Sequence, residues 1–134
     1  MKDLLYKEAL SALDLSYSPY SKFKVSACLL TKDGKTFKGA NIENASYPLS
    51  MCAERNAIYH AYMNGYKKED IKAILILGDT KDVISPCGAC RQVMSELLNK
   101  DTIIYLANLK GDIKEYKIDD LLPYSFKESD LDNA

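Results

Sequence analysis

Three cysteines and one glutamate have the residue types and the spacing that metal chemistry requires. Cys52 and Glu54 lie in the run C-A-E, and 31 residues separate Glu54 from a P-C-x-x-C motif that contains Cys87 and Cys90. Thiolates are preferred ligands of zinc, and a C-x-x-C at a helix start can offer two sulfur atoms to one ion. With Cys52 as the third ligand, the pattern predicts one Zn²⁺ with an open fourth position, which is typical of catalytic zinc.

Glu54 is the candidate catalytic residue of this cluster. It follows Cys52 by two residues, so its carboxylate can reach a water in the open position without binding the metal. There it could take a proton from the water and deliver it to a leaving group as a general base and acid. The alternative is a solvated glutamate in the first turn of a helix, where the helix dipole favours a negative charge.

Arg55 is the candidate electrostatic partner of the thiolates. Three thiolates around one divalent ion leave an excess of negative charge, which would hold the pKa of a bound water high. Arg55 lies beside the C-A-E run and could withdraw electron density from sulfur by hydrogen bonding, as groups around metal ligands commonly do. We expect that replacing Arg55 weakens zinc retention or activity.

Other interpretations of the C-x-x-C pair are a redox dithiol, a structural zinc site or chance. A redox pair explains neither Cys52 nor Glu54, and a structural site needs a fourth ligand. The only histidine, His60, lies eight residues after Cys52, which places it two helical turns away and too far to bind the same ion. The fourth cysteine, Cys28, lies in an apolar run and is expected to be a buried structural residue.

Length and composition indicate one globular enzyme domain over residues 1–134. The chain is 47% hydrophobic and carries a formal net charge of −1, and its basic residues form no block, so we expect no nucleic-acid partner. No apolar run approaches the roughly 20 residues that cross a membrane, and the start is unlike a signal peptide. We therefore expect a cytoplasmic protein that does not bind membranes.

Hydrophobic periodicity predicts alternating helices and strands. The first helix covers residues 2–14, with apolar positions at Leu5, Leu10 and Leu13 together with Ala9 and Ala12. A turn at 32–35 joins strands at 24–31 and 36–40. Helices are predicted from Cys52 to Gly65 and from about Gly88, further strands at 73–77, 102–107 and 113–117, and a short helical turn at 118–122.

The order of these elements predicts the sheet. A strand, a helix and a strand in succession imply a right-handed crossover and a parallel pair. Only residues 108–112 separate the last two strands, which is too short for a crossover, so the last strand should run antiparallel at the edge. The expected fold is a three-layer α/β/α domain around a mixed five-stranded sheet.

Five stretches of the chain resemble the cytidine deaminase family, specifically its short, homotetrameric nucleoside type with zinc. They are residues 17–23, 41–47, 52–55, 86–92 and 121–126. The resemblance implies hydrolytic deamination of cytidine and 2′-deoxycytidine to uridine and 2′-deoxyuridine in pyrimidine salvage, with release of ammonia. It also implies one zinc per subunit and a homotetramer.

The resemblance also implies roles for individual residues. Water activated by zinc would attack C4 of the base while Glu54 protonates N3 and then the departing amine. Asn41 and Glu43 match the pair that hydrogen-bonds the ribose 3′-hydroxyl, although they could also simply end a strand. Phe23 matches the aromatic residue near base and sugar, and the backbone of Ala53 matches the group that contacts the pyrimidine edge.

Three further positions are expected to act across a subunit boundary. By the same resemblance, Ala45, Tyr47 and Phe126 reach into the pocket of a neighbouring subunit. From the sequence alone, Phe126 would more simply be a core aromatic residue.

Two features separate this chain from its relatives. Lys24 and Ser26 stand where the family often has proline and glycine, which predicts a looser start to the strand and a slightly altered base pocket. Cys52 replaces the histidine that is typical of deoxycytidylate, guanine and tRNA adenosine deaminases, which usually add a parallel last strand.

Three rival functions stay open at this stage. The first is a deaminase of the same fold that acts on another substrate, such as the nucleoside antibiotic blasticidin S. The second is a zinc-stabilised interaction module without catalysis, which requires a fourth protein ligand. The third, RNA or DNA editing, is disfavoured by the slightly acidic net charge and by the lack of a nucleic-acid groove signature.

Overall fold

The computed structural model describes residues 1–127 and residue 131, which form four α-helices and five strands. The helices are α1 (Lys2–Ala12), α2 (Ala53–Met63), α3 (Gly88–Leu97) and α4 (Ile118–Leu121), and the strands are β1 (Val25–Thr31), β2 (Thr36–Ala40), β3 (Ile71–Gly78), β4 (Ile103–Asn108) and β5 (Ile113–Tyr116). Within this part of the chain, no helix combines the length and the apolar composition that a membrane span requires.

All five strands belong to one mixed sheet in the order β2-β1-β3-β4-β5. Strand β1 is antiparallel to both β2 and β3, β3 is parallel to β4, and β5 is antiparallel to β4. The β4–β5 turn contains Gly111 with φ of +94°, a conformation that glycine adopts without steric cost. The predicted parallel pair and the antiparallel last strand are both confirmed.

Two apolar clusters cover the two faces of the sheet and confirm the three-layer arrangement. Strand β3 shows this most clearly, because successive side chains of a strand point to opposite faces. Ile74 and Ile76 face the cluster that includes residues of α2 and α3, whereas Leu75 and Leu77 face the cluster that includes residues of α1. The central strand is therefore buried on both sides, as its continuous apolar run predicts.

Helix α1 uses a narrower apolar stripe than the sequence analysis expects. Leu5, Ala9 and Ala12 are buried, at the i, i+4, i+7 spacing of one helix face. The prediction for Leu10 was wrong: its side chain is 45% exposed, since it follows Ala9 by about 100° around the helix. Cys28 is fully buried on the α1 side of the sheet, as expected, and burial raises its pKa to about 12.

Strand directions bring the starts of α2 and α3 to the same end of the sheet, where β2 and β3 have their carboxyl ends. Strands β2 and β3 run in the same direction because each is antiparallel to β1. Helix α2 follows β2 and helix α3 follows β3, so both helices begin beyond the carboxyl ends of their strands. This end is where open α/β sheets usually place their functional groups.

Gly39 allows α2 to pack unusually close to β2. A Cβ atom at this position would meet the carbonyl oxygen of Ala53 and would lie 2.5 Å from the backbone nitrogen of Ala57. Neither backbone atom can move without shifting the first turn of α2. Gly39 therefore sets the distance between the sheet and the helix that carries Glu54.

We expect Gly39→Ala to destabilise the fold by about 1–3 kcal/mol, the usual cost of overpacking a close contact. Denaturant unfolding followed by circular dichroism measures this free energy. Gly88→Ala is the matched control, because a Cβ atom there meets nothing within 4 Å. Equal free energies of unfolding in the two variants would show that α2 can move away from β2 without loss of stability.

Candidate active site

The three predicted cysteine ligands come together where α2 and α3 begin. The Sγ atoms of Cys52, Cys87 and Cys90 all lie within 4.8 Å of one another. The Cys52 and Cys87 sulfur atoms are 3.9 Å apart, and those of Cys87 and Cys90 are 3.2 Å apart. In residues 1–127 and 131, no fourth His, Cys, Asp or Glu ligand atom joins this group.

Helix geometry explains why these cysteines can carry negative charge. Cys52 is the N-cap of α2 and Cys87 is the N-cap of α3. The Cys87 Sγ atom accepts a hydrogen bond of 3.4 Å from the backbone N–H of Cys90. Free N–H groups and the positive end of the helix dipole both stabilise thiolate at such positions.

The donor set fits zinc. Two sulfur atoms bound to one tetrahedral zinc at about 2.3 Å lie roughly 3.8 Å apart, close to the separation of Cys52 and Cys87. Arg55 adds a second indication, because its Nε atom is buried and has no hydrogen-bond partner among the described residues. A buried donor beside three sulfur atoms suits a site with excess negative charge.

Arg55 contacts the cysteine cluster through Cys52. Its Nη2 atom donates a hydrogen bond of 3.3 Å to the Sγ atom of Cys52. Hydrogen bonds from Cys90 and from Arg55 lower the pKa of Cys52 to about 5. The same hydrogen bond with Cys52, together with burial, raises the pKa of Cys90.

Glu54 is buried directly beside the sulfur atoms, with only 4% of its surface exposed. Burial raises the pKa of its carboxyl group, and the negative charge of Cys52 raises it further. The Cys90 thiol interacts with the same carboxylate. A carboxyl group with a raised pKa next to a metal site can both accept and donate a proton near neutral pH, whereas the alternative of a solvated first-turn glutamate does not fit this burial.

Backbone pairing connects the segment that contains Asn41 and Glu43 to the residue before Cys52. Ile42 exchanges two backbone hydrogen bonds with Met51, the residue before Cys52, and Tyr17 pairs with the other side of the same segment. The segment 41–43 is therefore fixed between the 17–23 loop and the start of α2.

The side chains of Asn41 and Glu43 hold the loop that carries Phe23. The Asn41 Nδ2 atom donates to the Phe23 carbonyl at 2.8 Å, and its Oδ1 atom accepts from the Val25 N–H at 3.0 Å. Glu43 accepts hydrogen bonds from the backbone N–H groups of Tyr20 and Ser21, both at 3.1 Å, and from the Ser21 hydroxyl. The Ser21 hydroxyl is the main reason that the pKa of Glu43 is lowered.

The remaining predicted positions are two that were expected to contact the substrate within this chain and three that were expected to reach a neighbouring subunit. Ala53 is the first residue of α2 and is buried, and Phe23 is 38% exposed. Ala45 and Tyr47 lie on the surface, and Phe126 lines a cavity of about 290 Å³ with Leu98 and neighbouring residues at the end of α3. The Phe126 carbonyl also accepts a hydrogen bond of 3.0 Å from Gln92, two residues after Cys90.

Several polar side chains without a role predicted from sequence also shape the site. The Asn56 Nδ2 atom donates to the Ala40 carbonyl at 2.7 Å, which ties α2 to the end of β2. Arg91 and Gln92 bind backbone carbonyl groups of the C-terminal segment. Their position directly after the C-x-x-C motif was the only sequence signal that they belong to the site. Their partners could not be identified from sequence, because these are backbone groups distant along the chain.

Comparisons with known proteins agree with this geometry. Residues 1–106 match the family model described as the cytidine and deoxycytidylate deaminase zinc-binding region. A cytidine deaminase of Halalkalibacterium halodurans is 51% identical over 132 residues, which cover 98% of each chain. A cytidine deaminase of Sporosarcina psychrophila is 45% identical, covering 97% of this chain and 94% of the relative.

A solved structure extends the match to the fold. The crystal structure of a cytidine deaminase from Burkholderia pseudomallei superposes with a TM-score of 0.92 at 46% identity, covering 94% of this chain and 99% of that chain. The fold and the cysteine cluster define a zinc-binding hydrolytic deaminase. The chain belongs to the cytidine and deoxycytidylate deaminase family.

We expect Arg55→Ala to lower zinc affinity about 10- to 100-fold, the usual effect of removing a group that supports metal ligands. The variant loses the hydrogen bond and the positive charge that stabilise the Cys52 thiolate. Competition with a chromogenic chelator measures the affinity. Lys38→Ala is the control, because it removes a surface cation paired with Glu8; equal zinc retention in both variants would contradict the prediction.

Proposed function

We propose that this protein deaminates cytidine and 2′-deoxycytidine by hydrolysis, giving uridine or 2′-deoxyuridine and ammonia. The observation that carries the proposal is the buried Glu54 carboxylate beside the three-cysteine cluster. Cytidine deaminases with 51% and 45% identity over nearly the full chain support cytidine as the substrate. The proposal of 2′-deoxycytidine as a second substrate rests on the small difference between ribose and deoxyribose.

In the proposed mechanism, zinc held by Cys52, Cys87 and Cys90 supplies Lewis acidity that makes a water nucleophilic at neutral pH. The Glu54 carboxylate accepts the proton of the water that attacks C4 of the base. Glu54 then donates this proton to N3, where it stays in the product. The second proton of the water, from the hydroxyl group on C4, passes through Glu54 to the leaving amine, so that C4 becomes a carbonyl carbon, water is consumed and ammonia is released. Its raised pKa suits both directions of transfer.

Asn41 and Glu43 are proposed to bind the ribose 3′-hydroxyl in addition to holding the loop. An amide nitrogen has two donor hydrogens and a carboxylate has about four acceptor positions. Asn41 directs Nδ2 at the Phe23 carbonyl, and Glu43 accepts three hydrogen bonds. Each side chain therefore keeps capacity for one further bond, and the lowered pKa of Glu43 keeps it ionised as an acceptor.

Phe23 and Ala53 complete the proposed substrate contacts. Phe23 is partly exposed next to the ribose pair, so its ring is available to pack against base and sugar. Ala53 opens α2 between Cys52 and Glu54, and its backbone is proposed to contact the pyrimidine edge. Lys24 and Ser26 follow Phe23 at the start of β1; Ser26 is buried and donates to the Ala9 carbonyl, whereas Lys24 is exposed.

The rival functions are less well supported. An interaction module with structural zinc needs a fourth protein ligand, and none joins the cluster among the described residues. A nucleic-acid substrate is disfavoured by the net charge of −1. Blasticidin S shares the cytosine group, so a substrate panel must separate it from cytidine.

The three proteins that test the proposal are wild type, Glu54→Gln and chelator-stripped wild type. We expect ultraviolet spectra to show conversion of cytidine and 2′-deoxycytidine by zinc-loaded wild type, and at least a 100-fold loss in Glu54→Gln from missing proton transfer. Glu43→Gln should raise KM for cytidine more than for 3′-deoxycytidine. A zinc-loaded wild type that converts blasticidin S and not cytidine would overturn the substrate proposal.

We also propose that the enzyme acts in pyrimidine salvage in the cytoplasm. The support is chemical: all four cysteines are free thiols, and three of them must stay reduced to bind zinc, as they do in a reducing compartment. The wild type and Glu54→Gln, expressed in pyrimidine-requiring cells without a deaminase of their own, test this role. Growth on cytidine with wild type alone is the expected result.

A homotetramer with shared pockets is the proposed assembly. Tyr47 and Leu49 are 65% and 69% exposed, and Phe126 is 56% exposed. Large apolar side chains with this exposure are typical of surfaces that become buried in an assembly. Ala45, Tyr47 and Phe126 are proposed to complete the pocket of a neighbouring subunit, and the cavity that Phe126 lines in its own chain includes none of the three cysteines.

Mixing two inactive variants tests the shared pocket. Phe126→Ala keeps its own Glu54, and Glu54→Gln keeps Phe126 for a neighbour, so mixed tetramers should regain activity that neither variant has alone. Light scattering should give a mass of four times the 15.0 kDa chain. A fully active monomer, or no recovery after subunit exchange, would contradict the proposal.

A further inference from the structure

Arg91 makes three side-chain hydrogen bonds around the metal loop, none of which involves the thiolates. Its Nε atom donates to the Pro86 carbonyl at 2.9 Å, its Nη2 atom to the Ser85 hydroxyl at 2.6 Å, and its Nη1 atom to the Leu121 carbonyl at 2.7 Å. The guanidinium group thus joins the loop before Cys87 to the end of α4. Its rigid planar fork suits several fixed acceptors at once.

The same residue holds both peptide groups that flank Cys87. The Arg91 backbone N–H donates to the Cys87 carbonyl at 3.0 Å, as the first helical bond of α3, while the side chain binds the Pro86 carbonyl. Pro86 has no N–H of its own, so its carbonyl is the polar backbone group through which the loop can be fixed. Rotation of the Pro86–Cys87 peptide would move the Cys87 sulfur atom, and Arg91 opposes that rotation.

Gln92, the next residue, extends the connection to the C-terminal segment. Its Nε2 atom donates to the Phe126 carbonyl at 3.0 Å. Together with the Arg91 bond to Leu121, it attaches both ends of residues 121–126 to α3. One turn of α3 therefore contacts the metal loop on one side and the segment that carries Phe126 on the other.

We propose that Arg91 is a positioning residue that sets the position of Cys87 and couples it to the C-terminal segment. It acts through backbone carbonyls and differs in this from Arg55, which contacts the Cys52 sulfur atom itself. The part of the inference that concerns Phe126 rests on the proposed function, whereas the part that concerns Cys87 does not. A perturbation at Arg91 should therefore change both the metal site and the substrate site, and one at Gln92 should change only the second.

The variants Arg91→Lys and Gln92→Ala separate these effects. Lysine keeps the positive charge but cannot hold three acceptors in a fixed plane. We expect Arg91→Lys to release zinc to a chelator about tenfold faster, in the range of other supporting groups, and to shift the thiolate-to-metal bands of the cobalt-substituted protein. Gln92→Ala should leave zinc release and the cobalt spectrum unchanged and should raise KM for cytidine through the loosened Phe126 segment.

The metal measurements need no substrate, so they remain informative if the protein proves inactive on cytidine. An unchanged cobalt spectrum and zinc-release rate in folded Arg91→Lys would overturn the proposal and leave Arg91 a stabiliser of packing between α3 and α4. Should Arg91→Lys fail to fold, Ser85→Ala removes only the Nη2 contact. This variant should accelerate zinc release in the same direction by a smaller factor, and an unchanged rate would again contradict the inference.

Discussion

The constraint on which the rest of the structure depends is the mutual repulsion of three thiolates confined within 4.8 Å. Negative charges at this distance raise each other's pKa, so three neighbouring thiolates need other groups that oppose the repulsion. Two helix N-termini, the Arg55 guanidinium and the metal provide this opposition. Burial is the main reason that the pKa of Glu54 is raised, and the negative charge of Cys52 raises it further.

The sheet topology places the two helix N-termini and Arg55 beside the three cysteines. Because β2 and β3 run in the same direction, α2 and α3 start side by side although Cys52 and Cys87 are 35 positions apart in the sequence. The missing side chain of Gly39 lets α2 lie against β2, and Asn56 fastens the same contact from the helix. The metal site is thus held by backbone packing of regular elements, and the loops carry most of the proposed substrate contacts.

Much of this arrangement could be predicted from sequence because its signals are local. Apolar runs, the Asp-Gly turn after β1 and cysteines at helix starts identify elements and ligands from neighbouring residues alone. The exposure of Leu10 was missed because apolar composition does not fix which face of a short helix packs. The contacts of Arg91 and Gln92 were missed because their acceptors are backbone carbonyls about thirty residues away, and every residue offers such an acceptor.

The carboxylate of Glu43 fixes the conformation of the 17–23 loop through hydrogen bonds within the chain itself. Two backbone N–H groups and one hydroxyl converge on it, and Asn41 fixes the following residues from the same short segment. Ordering a loop during binding would subtract conformational entropy from the affinity, and a loop that is already ordered avoids most of that loss. Recognition at this end of the sheet should therefore resemble association with a rigid surface, with a small entropic penalty and little loop movement.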